Sequence, residues 1–280
     1  MKELIALREE VDRKVVVESF GARILLESNS DELLERALER AKKALVGQVL
    51  IIEKAEESEV DYWFRIAYDE NGEWYLVENG EKSNYGGSEF SFFKFFDSML
   101  RLRVAQNASD RIFVHAGVVG WKGRAVMIPA TSMKGKTTLV AELIRNGAQY
   151  YSDEYALLDN SGYVHPFPRN LSLRGFEADV PESSIPPEAI GGTVGNEPIS
   201  VGAVLFTEYQ EGAHWDPVEM TIGNAIMETI PHTIPVHSKT KNSLEVLNKA
   251  YKGAIIAKSF RGDVKHACPE ILAFLDNHLN

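Results

Sequence analysis

Between Met127 and Ile144 the sequence reads MIPATSMKGKTTLVAELI, in which an apolar run stops at Pro129 and a helical pattern follows. Two lysines flank a glycine in the polar segment between them. This segment fits the phosphate-binding pattern G-x-x-x-x-G-K-[ST], with alanine at the first glycine position. A connecting turn has no structural need of so much positive charge, so the residue types indicate an anion site; the alternative is a strand–helix turn that happens to carry lysines.

The chemistry expected of this loop follows from its backbone. Consecutive N–H groups curl around a phosphate, and Gly135 allows a close approach and an unusual dihedral angle. The helix that follows presents free N–H groups and its positive dipole end to the same anion. Lys136 is predicted to reach the outer phosphates, and the Thr137 hydroxyl to join a Mg²⁺ shell. The predicted nucleotide-binding residues are Ala130, Thr131, Ser132, Met133, Lys134, Gly135, Lys136, Thr137 and Thr138.

A pair of carboxylates, Asp153 and Glu154, follows the next apolar stretch in YYSDEYALL. Strand ends near the switch point of an open α/β sheet face the ligand crevice. One carboxylate there can bind Mg²⁺, and the other can accept the proton of an attacking hydroxyl. A solvated turn is the alternative for this pair taken alone. Together with the phosphate loop, the metal and base roles are favoured.

The elements that must position these groups can be predicted from the flanking sequence. Before the loop, RKVVVESFGARILLES predicts two strands broken at Gly21, and SDELLERALERAKKAL predicts an amphipathic helix capped at Ser30 or Asp31. GQVLIIEKA, DYWFRIAYD and EWYLVENGEK predict further strands, and SEFSFFKFFDSMLRLRVAQNA predicts a mostly buried connecting helix. We therefore expect a small α+β domain over residues 1–106.

From about Arg111 the pattern changes to strand, loop, helix and strand, which predicts an α/β domain over residues 107–280. The helix KTTLVAELIRNG is expected to close at Gly147. Residues 180–200 predict a surface loop, and two C-terminal helices are expected around the strand AIIAKSF. Cys268 is expected to pack just before the last helix. Four polar residues are interpreted as loop: Glu208, Glu211, His214 and Asp216.

Composition excludes several classes of function. The chain has 280 residues, 44% of them hydrophobic, and a net charge of −11, so it lacks the basic excess of a general nucleic-acid binder. One cysteine fits a reducing compartment. No apolar run reaches membrane-spanning length, and the N-terminus has no apolar signal core. We therefore expect a soluble, cytoplasmic protein with no membrane or nucleic-acid partner.

Three segments together resemble the catalytic domain of the HPr kinase/phosphorylase family and its lasso-peptide-kinase-like relatives. They are HAGVV, which begins at His115, then PATSMKGKTT, and then SDE. His115 and Lys136 are 21 residues apart, and Lys136 and Asp153 are 17 apart. These spacings are similar to those of the family's His-Gly-Val strand, phosphate loop and Asp-Asp pair.

The resemblance implies a phosphoenolpyruvate carboxykinase-like P-loop (Walker A) domain on a mixed sheet, and phosphorylation of a hydroxyl that depends on ATP and Mg²⁺. It implies Asp153 as general base and Glu154 in the place of the second acid, which assists the metal site. His115 is implied as a neighbour of that carboxylate that tunes its charge. Judged from residue type alone, a single histidine at a strand edge is more often structural.

The sequence also departs from the family. Glu154 replaces an aspartate, Lys134 adds a cation, and HPFPRNLSLRG stands where the family has a glycine-rich capture segment. Arg169 and Arg174 either neutralise a transferred phosphate or an anionic substrate, or are ordinary surface arginines. The first hundred residues do not resemble the regulatory domain of HPr kinase. HPr as the target and the reverse phosphorylase reaction therefore lack support.

The function predicted from the sequence is a serine kinase that transfers the γ-phosphate of ATP to a hydroxyl on a peptide or protein. A polyol or a free amino acid is the alternative acceptor. A nucleotide-binding regulatory module without catalysis is an alternative of another class. The relatives form rings, which leaves a homo-oligomer open for this chain.

Overall fold

The structure is a computed structural model that describes residues 13–53, 59–84, 88–131, 134–173 and 183–279. Of the predicted site residues, Ser132, Met133 and Arg174 lie outside these ranges. The chain divides between Asp110 and Arg111 into two compact units. The domain organisation predicted above remains our proposal. Within the described ranges, no helix combines the length and the apolar character needed to cross a bilayer.

The N-terminal unit has one six-stranded sheet and two helices. The strands lie in the order β3-β1-β2-β4-β5-β6. Its elements are β1 Arg13–Ser19, β2 Ala22–Ser28, α1 Asp31–Ala44, β3 Leu50–Ile52, β4 Tyr62–Tyr68, β5 Trp74–Glu78, β6 Glu81–Asn84 and α2 Glu89–Asn107.

Local sequence explains most of these boundaries. The hairpin between β1 and β2 turns at Phe20 and Gly21, and the Ser30 hydroxyl caps α1 by accepting a hydrogen bond from Leu33 N at 3.4 Å, as predicted. The single strand predicted for EWYLVENGEK is wrong. Asn79 and Gly80 have φ angles of 43° and 96° and divide it into β5 and β6. Asn-Gly is a strong signal for such a hairpin turn.

The C-terminal unit is a mixed α/β structure. Its strands are β7 Ile112–Trp121, β8 Arg124–Pro129, β9 Gln149–Ser152, β10 Tyr155–Leu158, β11 Tyr163–His165, β12 Leu171–Leu173, β13 Ser183–Ile185, β14 Thr193–Val194, β15 Ile199–Tyr209, β16 Val218–Glu219 and β17 Ile255–Arg261. Its helices are α3 Lys136–Arg145, α4 Ile222–Thr229, α5 Thr240–Tyr251 and α6 Val264–His278. Short 3₁₀ helices span Pro187–Ile190, Ile230–His232 and Ile234–His237.

The main sheet of this unit joins parallel and antiparallel pairs, so the predicted mixed sheet is confirmed. β8 lies between β7, which is antiparallel to it, and β15, which is parallel to it. β17 runs parallel to β15 on the far side. The carboxyl ends of β8, β15 and β17 therefore meet at one edge, where an open α/β sheet binds its ligands.

Alternate residues of β8 face opposite layers, as strand geometry requires. Val126 and Ile128 belong to a buried cluster with residues of α3 and α6, whereas Ala125 and Met127 belong to a cluster with residues of α5. The sheet is thus covered on both faces. This burial on both faces explains why residues 125–128 of β8 are all apolar and do not alternate with polar residues.

Some expectations for this unit are wrong. Residues 183–194 are not only loop, because β13, a 3₁₀ helix and β14 lie there and β14 extends the sheet beside β9. Glu208 lies on β15 rather than in a loop. Cys268 lies within α6, which begins at Val264 because Asp263 caps it by accepting from Lys265 N at 2.8 Å. Helix α4 was not predicted.

Candidate active site

Gly135, the last residue before α3, has the backbone conformation that the sequence predicts. Gly135 caps α3 in the left-handed conformation, with φ 77°. Its carbonyl oxygen accepts a hydrogen bond from Arg261 Nη2 at 2.8 Å. A Cβ atom at this position would lie 2.4 Å from the same nitrogen. Both the dihedral angle and the close approach therefore require glycine.

Lys136, the first residue of α3, is 8% exposed. Its ammonium group lies 2.9 Å from His115 Nε2 and donates to the Ala130 carbonyl oxygen at 3.4 Å. Gly117 on β7 leaves room for the lysine stem, because a Cβ there would lie 3.1 Å from Lys136 Cγ and 2.6 Å from Val140 Cγ2. The glycine of HAGVV thus allows α3 to pack closely on β7.

Burial sets the charges of this pair. Desolvation, and then the positive charge of Lys136, lower the pKa of His115 to about 4. Desolvation lowers the pKa of Lys136 to about 8, while Asp153 and Glu154 act in the opposite direction. His115 is therefore neutral at pH 7, and its Nε2 accepts a hydrogen bond from the ammonium group of Lys136. Asp153 and Glu154 are both close enough to Lys136 to raise the pKa of its ammonium group.

Asp153 lies between β9 and β10 and is 7% exposed. The Tyr150 hydroxyl lies 3.0 Å from Asp153 Oδ1 and 2.7 Å from the Arg169 carbonyl oxygen, so its single proton is shared between two acceptors. Ser172 N donates to Asp153 Oδ2 at 3.3 Å. Burial raises the pKa of Asp153, and these hydrogen bonds oppose that shift. The carboxyl group is fixed in place and tuned toward proton acceptance.

Glu154 forms an ion pair with Arg169, which follows β11. Both side chains are about a quarter exposed. Glu154 is also the carboxylate that raises the pKa of His115 against the burial effect. The structure thus brings together five of the predicted site residues: His115, Lys136, Asp153, Glu154 and Arg169.

The other described loop residues occupy distinct surroundings. Ala130 is buried, Thr131 is exposed, and Thr137 and Thr138 are half-buried on the first turn of α3. Lys134 forms an ion pair with Glu208 at the end of β15. This lysine therefore anchors the loop to the strand beside it.

Three residues near the site were not predicted from the sequence as part of it. Tyr150 lies in an apolar strand pattern, and Arg261 ends a strand far along the chain. His232 is half-buried, and both its burial and the charge of Lys136 lower its pKa. Only tertiary contacts reveal these residues, because 126 residues separate Arg261 from the glycine that it contacts.

The donor set suits a metal that is shared with a bound phosphate. No group of three or more His, Cys, Asp or Glu side chains that could hold a metal ion occurs among the residues that the structure describes. The predicted ligands Thr137 and Glu154 both supply hard oxygen atoms. Mg²⁺ is commonly held by one or two such side chains together with substrate phosphates and water.

Comparisons with known proteins give little that bears on identity. No protein-family model matches the chain, and no curated protein matches it. Among solved structures, the HPr(Ser) kinase/phosphatase from Coxiella burnetii aligns at 16% identity over 59% of this chain and 93% of its own, with a TM-score of 0.31. An alignment at that level assigns no activity to this chain.

Proposed function

We propose that this protein is a kinase that transfers the γ-phosphate of ATP, with Mg²⁺, to a hydroxyl group on a serine or threonine of a peptide or protein. One observation carries the proposal. Lys136 begins α3 directly after a strand-loop segment of phosphate-binding sequence, and both Asp153 and Glu154 act electrostatically on its ammonium group. A cation for phosphate and a carboxylate for the proton therefore lie in one site.

The loop binds the nucleotide through its backbone and Lys136. The amide groups at the start of α3 have no helical partners and face an anion favourably. The ammonium group of Lys136 now contacts neutral acceptors, His115 Nε2 and the Ala130 carbonyl oxygen. A phosphate oxygen offers it a stronger, charge-assisted hydrogen bond.

Thr137 and Glu154 are the residues that would hold Mg²⁺ here, and their oxygen atoms fit that ion. When bound, Mg²⁺ neutralises charge on the β- and γ-phosphates. Arg169 keeps Glu154 in an ion pair, and its guanidinium group supplies a further positive charge for the transferred phosphate. Arg174 is proposed, from the sequence, to neutralise the transferred phosphate or to bind an anionic substrate.

Asp153 is the proposed general base. The acceptor oxygen forms a bond to the γ-phosphorus as the bond to the β,γ-bridging oxygen breaks, and Asp153 takes the hydroxyl proton. The products are ADP and a phosphate monoester. Burial favours proton uptake by Asp153, while Tyr150 and Ser172 hold its two oxygens in position. We further propose a phosphoenolpyruvate carboxykinase-like domain, supported by the β8-loop-α3 segment on a mixed sheet.

Replacing Asp153 with asparagine tests this proposal. The variant is expected to bind MgATP like the wild type and to lose ADP release by about two orders of magnitude or more. Asp276→Asn, on the exposed side of α6, is the matched control and is expected to retain full activity. Equal turnover in Asp153→Asn and the wild type would contradict the proposal.

A screen of peptides and small hydroxyl compounds for ADP release separates the acceptor classes. Turnover with a polyol or free amino acid alone would favour the small-molecule kinase. Tight MgATP binding without turnover on any acceptor would favour the regulatory module.

A further inference from the structure

A cavity of about 720 Å³ opens beside the phosphate loop. Its walls come from the carboxyl ends of β8, β15 and β17, and they include Thr131 and Lys134 of the loop itself. The volume lies within the range of small-molecule sites, and the position is that of the ligand crevice in an open α/β sheet. Asp153, Glu154 and Arg169 do not line it.

The groups around the loop fall into two sets. Asp153 is almost fully buried, and Glu154 is paired with Arg169. The cavity is lined instead by Ala130, Thr131 and Lys134 of the loop. In phosphoryl transfer the attacking and leaving oxygens lie roughly in line. An acceptor held near Asp153 therefore leaves the cavity, which Asp153 does not line, for the rest of the nucleotide.

The lining of the cavity suits a flat aromatic group with polar substituents. Phe260 on β17 and Val218 on β16 are 54% and 67% exposed at its wall. Two of its charged pairs are satisfied internally, Lys134 with Glu208 and Lys258 with Glu228. A nucleic-acid base can stack on an exposed aromatic ring, and every base has such a π-face.

Asp216 is the lining carboxylate that remains available. Its backbone N–H donates to the Ser259 hydroxyl at 3.0 Å, and its side chain makes no ion pair or hydrogen bond within the part of the chain that the structure describes. A free carboxylate accepts hydrogen bonds from ribose hydroxyls or from the amino group of a base. The wall thus offers both an aromatic ring for stacking and a carboxylate that accepts hydrogen bonds.

We propose that this cavity is the nucleoside subsite, in which Phe260 stacks on the base and Asp216 accepts hydrogen bonds from the ribose or base. The assignment rests on the proposed function, since it requires the phosphates to lie on the loop. The phosphate-loop motif specifies only where the phosphates bind. The assignment adds a binding site for the nucleoside and names Phe260 and Asp216 as its residues. The acceptor then approaches from the side of Asp153.

Calorimetric titration with two ligands tests the assignment. MgATP carries the nucleoside, whereas magnesium tripolyphosphate carries only the phosphate chain. Phe260→Ala is expected to weaken MgATP binding by about five- to 150-fold, the range for loss of one base-aromatic stack, and to leave tripolyphosphate binding unchanged. The control is Tyr163→Ala, which removes another exposed aromatic side chain that does not line the cavity, and neither affinity should change.

The outcomes separate the two proposals. If wild-type protein binds neither ligand, the proposed function fails, and the subsite fails with it. If the wild type binds both but Phe260→Ala binds MgATP equally well, only the subsite is overturned. A Phe260→Ala variant with unchanged MgATP affinity and a raised KM for the acceptor would assign the cavity to the acceptor instead, which also overturns it.

Discussion

At the scale of single residues, the proposed general base Asp153 is held by buried hydrogen bonds rather than by an ion pair. Tyr150 contributes most clearly, since one hydroxyl joins Asp153 to the backbone at Arg169. The residues of the phosphate loop and of the Asp153-Glu154 pair were predictable, because each motif is a short, continuous stretch of sequence. The role of Tyr150 was not predictable, because it depends on which face of β9 lies against the Asp153 carboxylate.

Replacing Tyr150 with phenylalanine should lower the rate of ADP release by about tenfold or more, because hydrogen bonds to charged groups contribute about 1.5–3 kcal/mol. MgATP affinity should stay close to that of the wild type. The control is Tyr151→Phe on the same strand, which loses a hydrogen bond from its hydroxyl to the Glu197 carbonyl oxygen instead. Equal loss of rate in both variants would point to general destabilisation and contradict the positioning role.

The free thiol of Cys268 should be unreactive in the native protein. Cys268 is 0% exposed, and burial raises the pKa of its thiol to about 11. A raised pKa keeps the reactive thiolate scarce below that value, so at pH 8 only roughly one thiol in a thousand is ionised. Labelling with a maleimide at pH 8 is expected to require denaturant. Rapid stoichiometric labelling of the native protein would contradict this packing.

At the scale of elements, the segment from β7 to α3 forms the framework of the site. Periodicity predicted both strands, the turn between them and the helix, because each signal lies within a short window. The close packing of α3 on β7 was not predictable in the same way. It depends on Gly117, whose missing side chain matters only once Val140 and Lys136 lie against it.

Gly117→Ala should lower the free energy of unfolding by about 1–3 kcal/mol, because the added Cβ overlaps Val140 and forces α3 to move. Nucleotide affinity should fall as well, since Lys136 moves with the helix. Gly223→Ala on α4 is the matched control, because a Cβ there meets nothing within 4 Å. It should be neutral or slightly stabilising. Denaturant unfolding of both variants measures the difference.

At the scale of the whole molecule, the chain comprises two units with separate sheets, and the proposed nucleotide site lies within the second. The change in pattern near Arg111 was visible in the sequence. The parallel pairing of β15 with β8 and β17 was not, because strand order is set by contacts between segments that lie far apart in the sequence, such as Val204 with Met127 and Ala203 with Ile255. For the same reason the cavity could not be predicted.

Ligand binding should stabilise the unit that contains the site. MgATP at about one hundred times its Kd contributes about 2.7 kcal/mol, which corresponds to a rise of about 5–10 °C in the midpoint of that unit's thermal transition. AMP lacks the β- and γ-phosphates and should produce a much smaller shift. Equal shifts with AMP and MgATP, measured by scanning calorimetry, would argue against binding of the outer phosphates by the loop.

Calorimetric titration of MgATP into the wild type and Lys136→Met tests the central claim most directly. Methionine keeps the buried stem of Lys136 against Gly117 and removes only the ammonium charge, so the fold should persist. We predict saturable binding to the wild type and an affinity at least tenfold lower for the variant. The same affinity in both proteins would show that Lys136 does not hold the nucleotide phosphates, and would contradict the account.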